Sequence, residues 1–247
     1  MELSTIIPAY NRHPLTVRHV EECMRSAYLP DEIVVVNDGG PPELRDMLSG
    51  LKRNVPIVYA RIEEDILWGY NMACNLGLWL SRGAFIALED TDHVPGRLAY
   101  LNGLHTLREN PGIDRVAFSR KIVQIADVAK PMEEWTPTGS IGPNQMVAML
   151  RRDVYLRLKG QDERFCGSYG YMAYDFPYRR DKILGAKTIK ADYYWAVFGD
   201  GGEPGLKRGL SEKNRELYKE NARAGKLHSV HGILNCHYDF ERFPINA

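Results

Sequence analysis

The sequence predicts an α/β fold with a mostly parallel central sheet flanked by helices, and three observations point that way. Short apolar runs alternate with segments of helical periodicity along the first part of the chain. One run, Glu32-Ile33-Val34-Val35-Val36, is apolar without alternation, the pattern of a parallel strand covered on both faces. Polar residues gather directly after the runs, and open parallel sheets bind ligands beyond the carboxyl ends of their strands.

Leu3-Ser4-Thr5-Ile6-Ile7 reads as a strand ended by Pro8. His13-Pro14 opens a helix in which Val17, Val20, Cys23, Met24 and Ala27 follow helical spacing. The strand at 32–36 is broken by Asn37-Asp38-Gly39-Gly40-Pro41-Pro42, and residues 43–51 give a second helix. A third strand spans 56–60, and a third helix spans 69–80 with Tyr70, Ala73, Cys74 and Gly77 on one face. Ala84-Phe85-Ile86-Ala87-Leu88 is a fourth strand, and Pro95-Gly96 leads into a helix carrying Leu98, Leu101, Leu104 and Leu107. Beyond it the pattern loosens. Strand character spans 115–125, a Pro/Gly-rich loop 127–144, a strand 145–150, helices 153–158 and 176–184, and an amphipathic helix 212–223.

The chain has 247 residues, 44% hydrophobic and 26% charged, with a formal net charge of zero. Residues 1–150 carry 14 basic and 19 acidic side chains, whereas residues 151–247 carry 18 and 13. An acidic half facing a basic half suits an anionic ligand held between them, though such an imbalance also arises without purpose. Cys23, Cys74, Cys166 and Cys236 form no C-x-x-C pair, so reduced and partly buried thiols are expected. The N-terminus lacks signal-peptide character and no apolar stretch reaches spanning length, so a soluble cytoplasmic protein is the expectation.

The cluster Glu89-Asp90-Thr91-Asp92-His93 follows the fourth strand directly. Carboxylates at i and i+2 of an extended segment point to one side, so Asp90 and Asp92 can share a divalent cation. An isolated D-x-D is more often an acidic surface turn. Here Tyr10-Asn11-Arg12 follows the first strand and Asn37-Asp38 the second, which places three polar strand ends on one sheet edge. No G-x-x-x-x-G-K-[ST] loop and no G-x-G-x-x-G follows the first strand, so phosphate neutralisation would fall to a metal.

Four blocks resemble family 2, GT-A-fold glycosyltransferases. They are Thr5-Ile6-Ile7-Pro8-Ala9-Tyr10-Asn11-Arg12; Glu32 through Gly39; Gly69 through Gly77 with Arg82 through Asp92; and, more faintly, Lys159-Gly160-Gln161-Asp162-Glu163-Arg164-Phe165. The resemblance implies a GT-A-type nucleotide-diphospho-sugar transferase fold. It implies one continuous domain, with residues 1–110 binding the donor and residues 111–247 binding the acceptor and carrying a C-terminal helical extension. It also implies that Pro8, Ala9, Tyr10, Arg12 and Asp38 surround a nucleotide base and ribose, that Asn75 and Thr91 lie near the donor, and that Asp90 and Asp92 hold Mn²⁺ or Mg²⁺. Tyr10 as a core-edge aromatic, Asp38 as a turn-former and Asn75 as a cap for a neighbouring loop are the competing readings.

The donor implied is a UDP-sugar, and the acceptor is a saccharide, a lipid-linked species or a nucleic acid. An inverting enzyme needs a carboxylate to deprotonate the acceptor hydroxyl. The family's usual E-D pair corresponds here to Met172-Ala173, and the later acid survives as Asp175, the candidate base or else a helix N-cap. A shifted loop, a retaining reaction or an impaired catalyst would each account for the change, with Asp162 and Glu163 in reserve. His231 is a candidate late metal ligand, His93 adjoins the D-x-D, and Trp135 and Trp195 are candidate sugar platforms. Two further readings stand beside this one: a nucleic-acid-binding or DNA-modifying protein using the basic C-terminal half, and a sugar-nucleotide binder that has lost transfer.

Overall fold

The computed structural model describes residues 1–198, 210–225 and 236–246. In chain order the elements are β1 (Leu3–Ala9), α1 (His13–Cys23), β2 (Glu32–Asn37), α2 (Leu44–Ser49), β3 (Ile57–Ile62), α3 (Tyr70–Leu80), β4 (Phe85–Leu88), β5 (His93–Pro95) and α4 (Ala99–Glu109). The second half adds β6 (Arg115–Gln124), β7 (Gly139–Ile141), β8 (Ala148–Arg151), α5 (Arg152–Arg157), α6 (Met172–Tyr178), β9 (Thr188–Phe198), α7 (Glu212–Ala224) and β10 (Tyr238–Phe243).

One sheet runs β10-β3-β2-β1-β4-β8-β6-β9-β5, with β7 attached to β6. The four strands β3-β2-β1-β4 are parallel, as the apolar runs and helical crossovers require. Beyond β4 the sheet becomes mixed: β8 pairs antiparallel with β4 and β6, β9 parallel with β6, and β5 antiparallel with β9. The expectation of a mostly parallel sheet therefore holds for the first half of the chain, and the second half adds the antiparallel strands. Strands β5, β7, β9 and β10 have no counterpart among the elements expected from the sequence.

Strand pleating sorts the core into two layers. Leu3, Ile7, Ile33, Val35, Ile57 and Tyr59 face α1, α2 and α4, whereas Ile6, Val34, Val36, Val58, Ala60 and Ile62 face α3 and α5. Each valine, leucine and isoleucine among them contributes about 1.5–3 kcal/mol on burial. Both layers are fully covered, which explains why β2 shows no polar alternation.

Pro8 does not end β1, because it pairs with Val36 inside the strand. The ladder to β4 stops at Ile6–Leu88, and the Pro8 carbonyl faces that vacated side, where Thr91 Oγ1 donates to it at 2.9 Å. The missing proline N–H faces the same way, so no ladder bond is lost. The helix expected over 176–184 begins earlier, at Met172, and passes through Pro177 into a π-helical turn at Arg179–Ile183. A proline inside a helix removes one backbone bond, and a wide turn follows here. Cys23, Cys74 and Cys166 are buried free thiols and Cys236 is a half-buried one. No helix of the described residues is long and apolar enough to cross a membrane.

The first strand and third helix approach closely because Gly77 lacks a side chain: a Cβ there would lie 2.3 Å from Ile6 Cγ2. Gly77→Ala should cost about 1–3 kcal/mol through overpacking, despite alanine's better helix propensity. Urea denaturation of the two proteins reads the difference, and equal midpoints would contradict this packing.

Candidate functional site

Glu89, Asp90, Thr91 and Asp92 continue past β4, but not as an extended segment. The His93 N–H donates to the Asp90 carbonyl at 2.9 Å, closing a turn that reverses the chain into β5. This turn, not strand pleating, brings Asp90 and Asp92 together. One oxygen of each and a ring nitrogen of His93 lie within 4.8 Å of one another. Asp90 accepts from Tyr70 Oη at 2.6 Å and Asn144 Nδ2 at 3.0 Å. Asp92 accepts from His93 Nδ1 at 2.6 Å and Arg12 Nη1 at 3.4 Å. Burial, followed by the Asp92 charge, outweighs these donors and holds the Asp90 carboxyl above the usual range. For Asp92 burial acts upward too, yet the His93 hydrogen bond and the Arg12 charge bring its carboxyl below that range. Two carboxylates converging in one polar turn are an oxygen donor set that suits a hard divalent cation.

Asp38 occupies the carboxyl end of β2, its backbone N–H bonded to the Ala9 carbonyl at 2.7 Å. Only 8% exposed, its Oδ1 has no hydrogen-bond partner among the described residues. Burial first, and the Asp65 charge second, push this carboxyl up to about 7. Gly69 makes the site possible, since a Cβ there would fall 2.1 Å from Asp38 Oδ1. Gly40 is equally constrained: a Cβ would lie 2.0 Å from the Tyr10 carbonyl. The Tyr10 ring is exposed, and its hydroxyl donates to Asp65 Oδ1 at 3.0 Å. Pro8, Ala9, Tyr10, Arg12, Asp38, Asp90, Thr91 and Asp92 thus collect on one edge of the sheet, linked by the Thr91–Pro8, Arg12–Asp92 and Asp38–Ala9 bonds.

Asn75 lies elsewhere. It is fully buried in α3, donates to the Gln161 carbonyl at 2.9 Å and to Glu163 Oε1 at 2.8 Å, and accepts from Gln161 N at 2.8 Å. Its whole amide is committed to pinning residues 160–163, so it does not line the crevice, and the competing reading as a cap for a neighbouring loop describes it better. Gly160, at φ +72°, is needed against it, because a Cβ would meet Asn75 Oδ1 at 2.4 Å. Asp162 is clamped by Arg164 and by Asn221 Nδ2 at 3.1 Å. Burial opposes these bonds without prevailing, and the Asp162 carboxyl is lowered.

Asp175 is 2% exposed. Its Oδ2 accepts from Arg179 Nε at 2.8 Å and its Oδ1 from Asn221 Nδ2 at 2.8 Å. Both oxygens are engaged, and Ala173 presents a methyl group to solvent where the family's acid would stand. Trp135 is buried, donates to the Lys130 carbonyl at 3.0 Å and meets Trp195 edge-on, so this pair builds a small core and not an open sugar platform. His231 and His228 lie outside the described residues. On α7, Arg215 pairs with Glu212 and Lys219 with Glu216, which compensates part of the basic character read there.

Several groups that support the site have roles with no local mark in the sequence. Glu89 is fully buried beneath the turn, accepting from His19 Nε2 at 2.6 Å, from Tyr100 Oη at 3.0 Å and from the Tyr194 hydroxyl. Tyr70, Asn144 and Arg120 reach the acidic turn from α3, the segment before β8, and β6. Only Tyr70 has a signal, as a polar-tipped residue on an otherwise apolar helix face.

The model of the glycosyl transferase family 2 matches residues 4–183, well over half of the chain. The chain belongs to glycosyl transferase family 2. An uncharacterized glycosyltransferase of Rickettsia bellii is 31% identical over 91 residues, covering 37% of this chain and 13% of that protein. YwdF of Bacillus subtilis, also an uncharacterized glycosyltransferase, is 31% identical over 100 residues, covering 40% of this chain and 36% of its own. The chain therefore matches only a minor part of either relative's length. Among solved structures, S. aureus TarS 1-349 in complex with UDP-GlcNAc superposes with a TM-score of 0.70 at 13% identity, over 91% of this chain and 65% of that one. TarS 1-349 in complex with UDP gives a TM-score of 0.68 over the same shares of the two chains. At that identity the likeness establishes the GT-A fold of this family 2 chain.

The Asp38 environment has a measurable consequence. A carboxyl raised from 3.8 to about 7 on folding favours the folded state below pH 4, and that contribution is lost as pH rises towards 7. Asp38→Asn carries no such penalty and should exceed wild type in stability above pH 7 by on the order of 2–4 kcal/mol, at 1.36 kcal/mol per pKa unit. The gap should narrow as pH falls to 5. Urea melts at both pH values test this, and a pH-independent gap would refute it.

Proposed function

We propose that this family 2 chain transfers a glycosyl group from a nucleoside-diphosphate sugar, with UDP as the expected nucleotide and Mn²⁺ or Mg²⁺ as the expected cation. The observation that carries the reading is the convergence of Asp90 and Asp92 on the sheet edge that also holds the unpartnered oxygen of Asp38. A buried acceptor without a donor is costly, and a base N–H supplies that donor. Tyr10 would cover the base, and Asp90 and Asp92 would hold the cation beside the diphosphate. Arg12, half-exposed beside Asp92, would meet a phosphate oxygen. When bound, the cation stabilises charge on the departing diphosphate.

Asp175 fits this scheme as a brace and not as an inverting base, because Arg179 and Asn221 occupy both of its oxygens. A bound, buried carboxylate of this kind orients α6 and keeps α7 against it. Met172-Ala173 favours a second reading, in which the chain binds the sugar nucleotide and transfers its sugar slowly or not at all. TarS binds UDP-GlcNAc, which supports a UDP-sugar as the first donor to try.

UDP-, GDP- and dTDP-sugars should be screened for Mn²⁺-dependent donor hydrolysis and binding. Asp92→Ala should weaken Mn²⁺-linked donor binding at least ~10-fold while leaving the fold intact, as loss of a charged ligand does. Unchanged donor affinity in that variant would remove the metal site from this turn. Asp175→Asn should lower the melting temperature, since it breaks a buried ion pair worth about 3–5 kcal/mol on removal of one partner. A variant of unaltered stability that had lost transfer alone would instead restore Asp175 as the base.

A further inference from the structure

His93 and Arg120 are brought together by the mixed half of the sheet. His93 on β5 pairs with Ala196 of β9, and Arg120 on β6 pairs with Tyr194 of the same strand. The β6–β9 register shifts between Phe118 and Arg120. Such irregularities re-aim a side chain relative to the regular pleat. The Arg120 guanidinium contacts the Gly142 carbonyl through Nε at 2.9 Å and Nη2 at 2.6 Å, and presents Nη1 to His93 Nε2 at 2.7 Å.

A guanidinium has only donors, so His93 Nε2 must be the acceptor in that contact. The ring proton then sits on Nδ1, which faces Asp92 Oδ1 at 2.6 Å and Asp90 Oδ2 at 3.7 Å. Held that way, Nδ1 cannot itself ligate a cation. It donates to Asp92 Oδ1 and leaves Oδ2, which faces Arg12 Nη1 at 3.4 Å, free of the imidazole. We propose that Arg120 and His93 form a positioning pair that fixes one imidazole tautomer and thereby orients the Asp92 carboxylate that would help hold a divalent cation. The inference rests on the metal-binding reading above and extends it to two residues outside the acidic pair. Partners of this kind behind a ligating group typically change metal affinity by about 10–100-fold.

The sign of the Arg120 effect separates positioning from plain charge. A cationic side chain beside a metal site repels the ion, so its loss would tighten binding if charge were its whole role. Loss of a tautomer lock weakens binding, because the freed ring can present a lone pair to Asp92. Asparagine at position 93 supplies an amide donor near the Nδ1 position without help from Arg120.

Mn²⁺ binding to the full chain, with UDP present, is read from the free-Mn²⁺ electron paramagnetic resonance signal, and melting temperatures check the fold. Arg120→Leu and His93→Leu should each weaken Mn²⁺ binding about 10-fold or more. His93→Asn should stay within about threefold of wild type, and adding Arg120→Leu to it should cost less than about twofold further, since the tautomer no longer matters. Tighter binding in Arg120→Leu, wild-type binding in both leucine variants, or an undiminished Arg120 effect in the His93→Asn background would each overturn the pair. Wild type without Mn²⁺ affinity would sink the metal reading itself, and this inference with it. Wild type that binds beside indifferent variants would sink the inference alone.

Discussion

The acidic turn depends on a carboxylate that never meets solvent. Glu89 lies at the end of β4, and burying it unpaired would cost several kcal/mol. The His19 ring, the Tyr100 and Tyr194 hydroxyls and the more distant Cys23 thiol converge on its two oxygens. Burial keeps Cys23, Tyr100 and Tyr194 well above their ordinary pKa ranges, so they remain neutral. His19 uses its second nitrogen on the Thr91 carbonyl at 3.2 Å, which ties the buried cluster to the backbone of the turn. A fully satisfied polar network of this kind rigidifies what it touches. Asp90 and Asp92 can stand close together because the backbone between them is already held.

These groups arrive from α1, α4 and β9, so the turn is also where the two halves of the chain are joined. The sheet shows the same interleaving. The three-residue strand β5 from the first half pairs with β9 from the second, while β10, near the C-terminus, closes the opposite edge on β3. We infer a division of labour in which residues 1–110 carry the donor groups and residues 111–247 the acceptor side. Arg120, Asn144 and Tyr194 nevertheless reach back to the acidic turn from the second half. The acidic turn is therefore a product of the whole sheet, although its carboxylates come from the first half.

How much of this is legible in the sequence follows from the range of each interaction. Strands buried on both faces and helices with a single apolar stripe announce themselves within a dozen residues, which is why β1 to β4 and α1 to α4 are readable. Strand β10 lies largely exposed at the sheet edge, with Phe240 turned to solvent and only Phe243 buried, and β5 is too short for any period to show. Asp38, Asp90 and Asp92 stand out because strand ends are where ligands bind, and the structure gathers them there. Asp175 is legible as an acid but not as a buried one, because Arg179 is one helical turn away and Asn221 lies on a distant helix. His19, Asn144 and Arg120 have no local signature, since each acts on a residue far along the chain.

The two sides of the site differ in what they retain. At the strand ends the crevice groups sit together, and Asp38 there offers a buried oxygen that the described residues leave unpartnered. Across the sheet the first turn of α6 carries Met172 and Ala173, and Tyr171 ahead of it sits in the left-handed region at φ +63°. A bulky residue in that region costs on the order of 1–3 kcal/mol and persists only where the surroundings enforce it. Here Asn214 of α7 donates to the Phe165, Ser168 and Gly170 carbonyls, and Tyr218 packs against Tyr171, Tyr174 and Tyr178. The loop before α6 is thus held by a polar helix and ringed by tyrosines, while Asp162 and Asp175 are withdrawn into ion pairs. The strand-end carboxylates of the family pattern therefore remain gathered at one edge of the sheet, whereas the place of its usual acid pair is taken by Met172 and Ala173 beside α7.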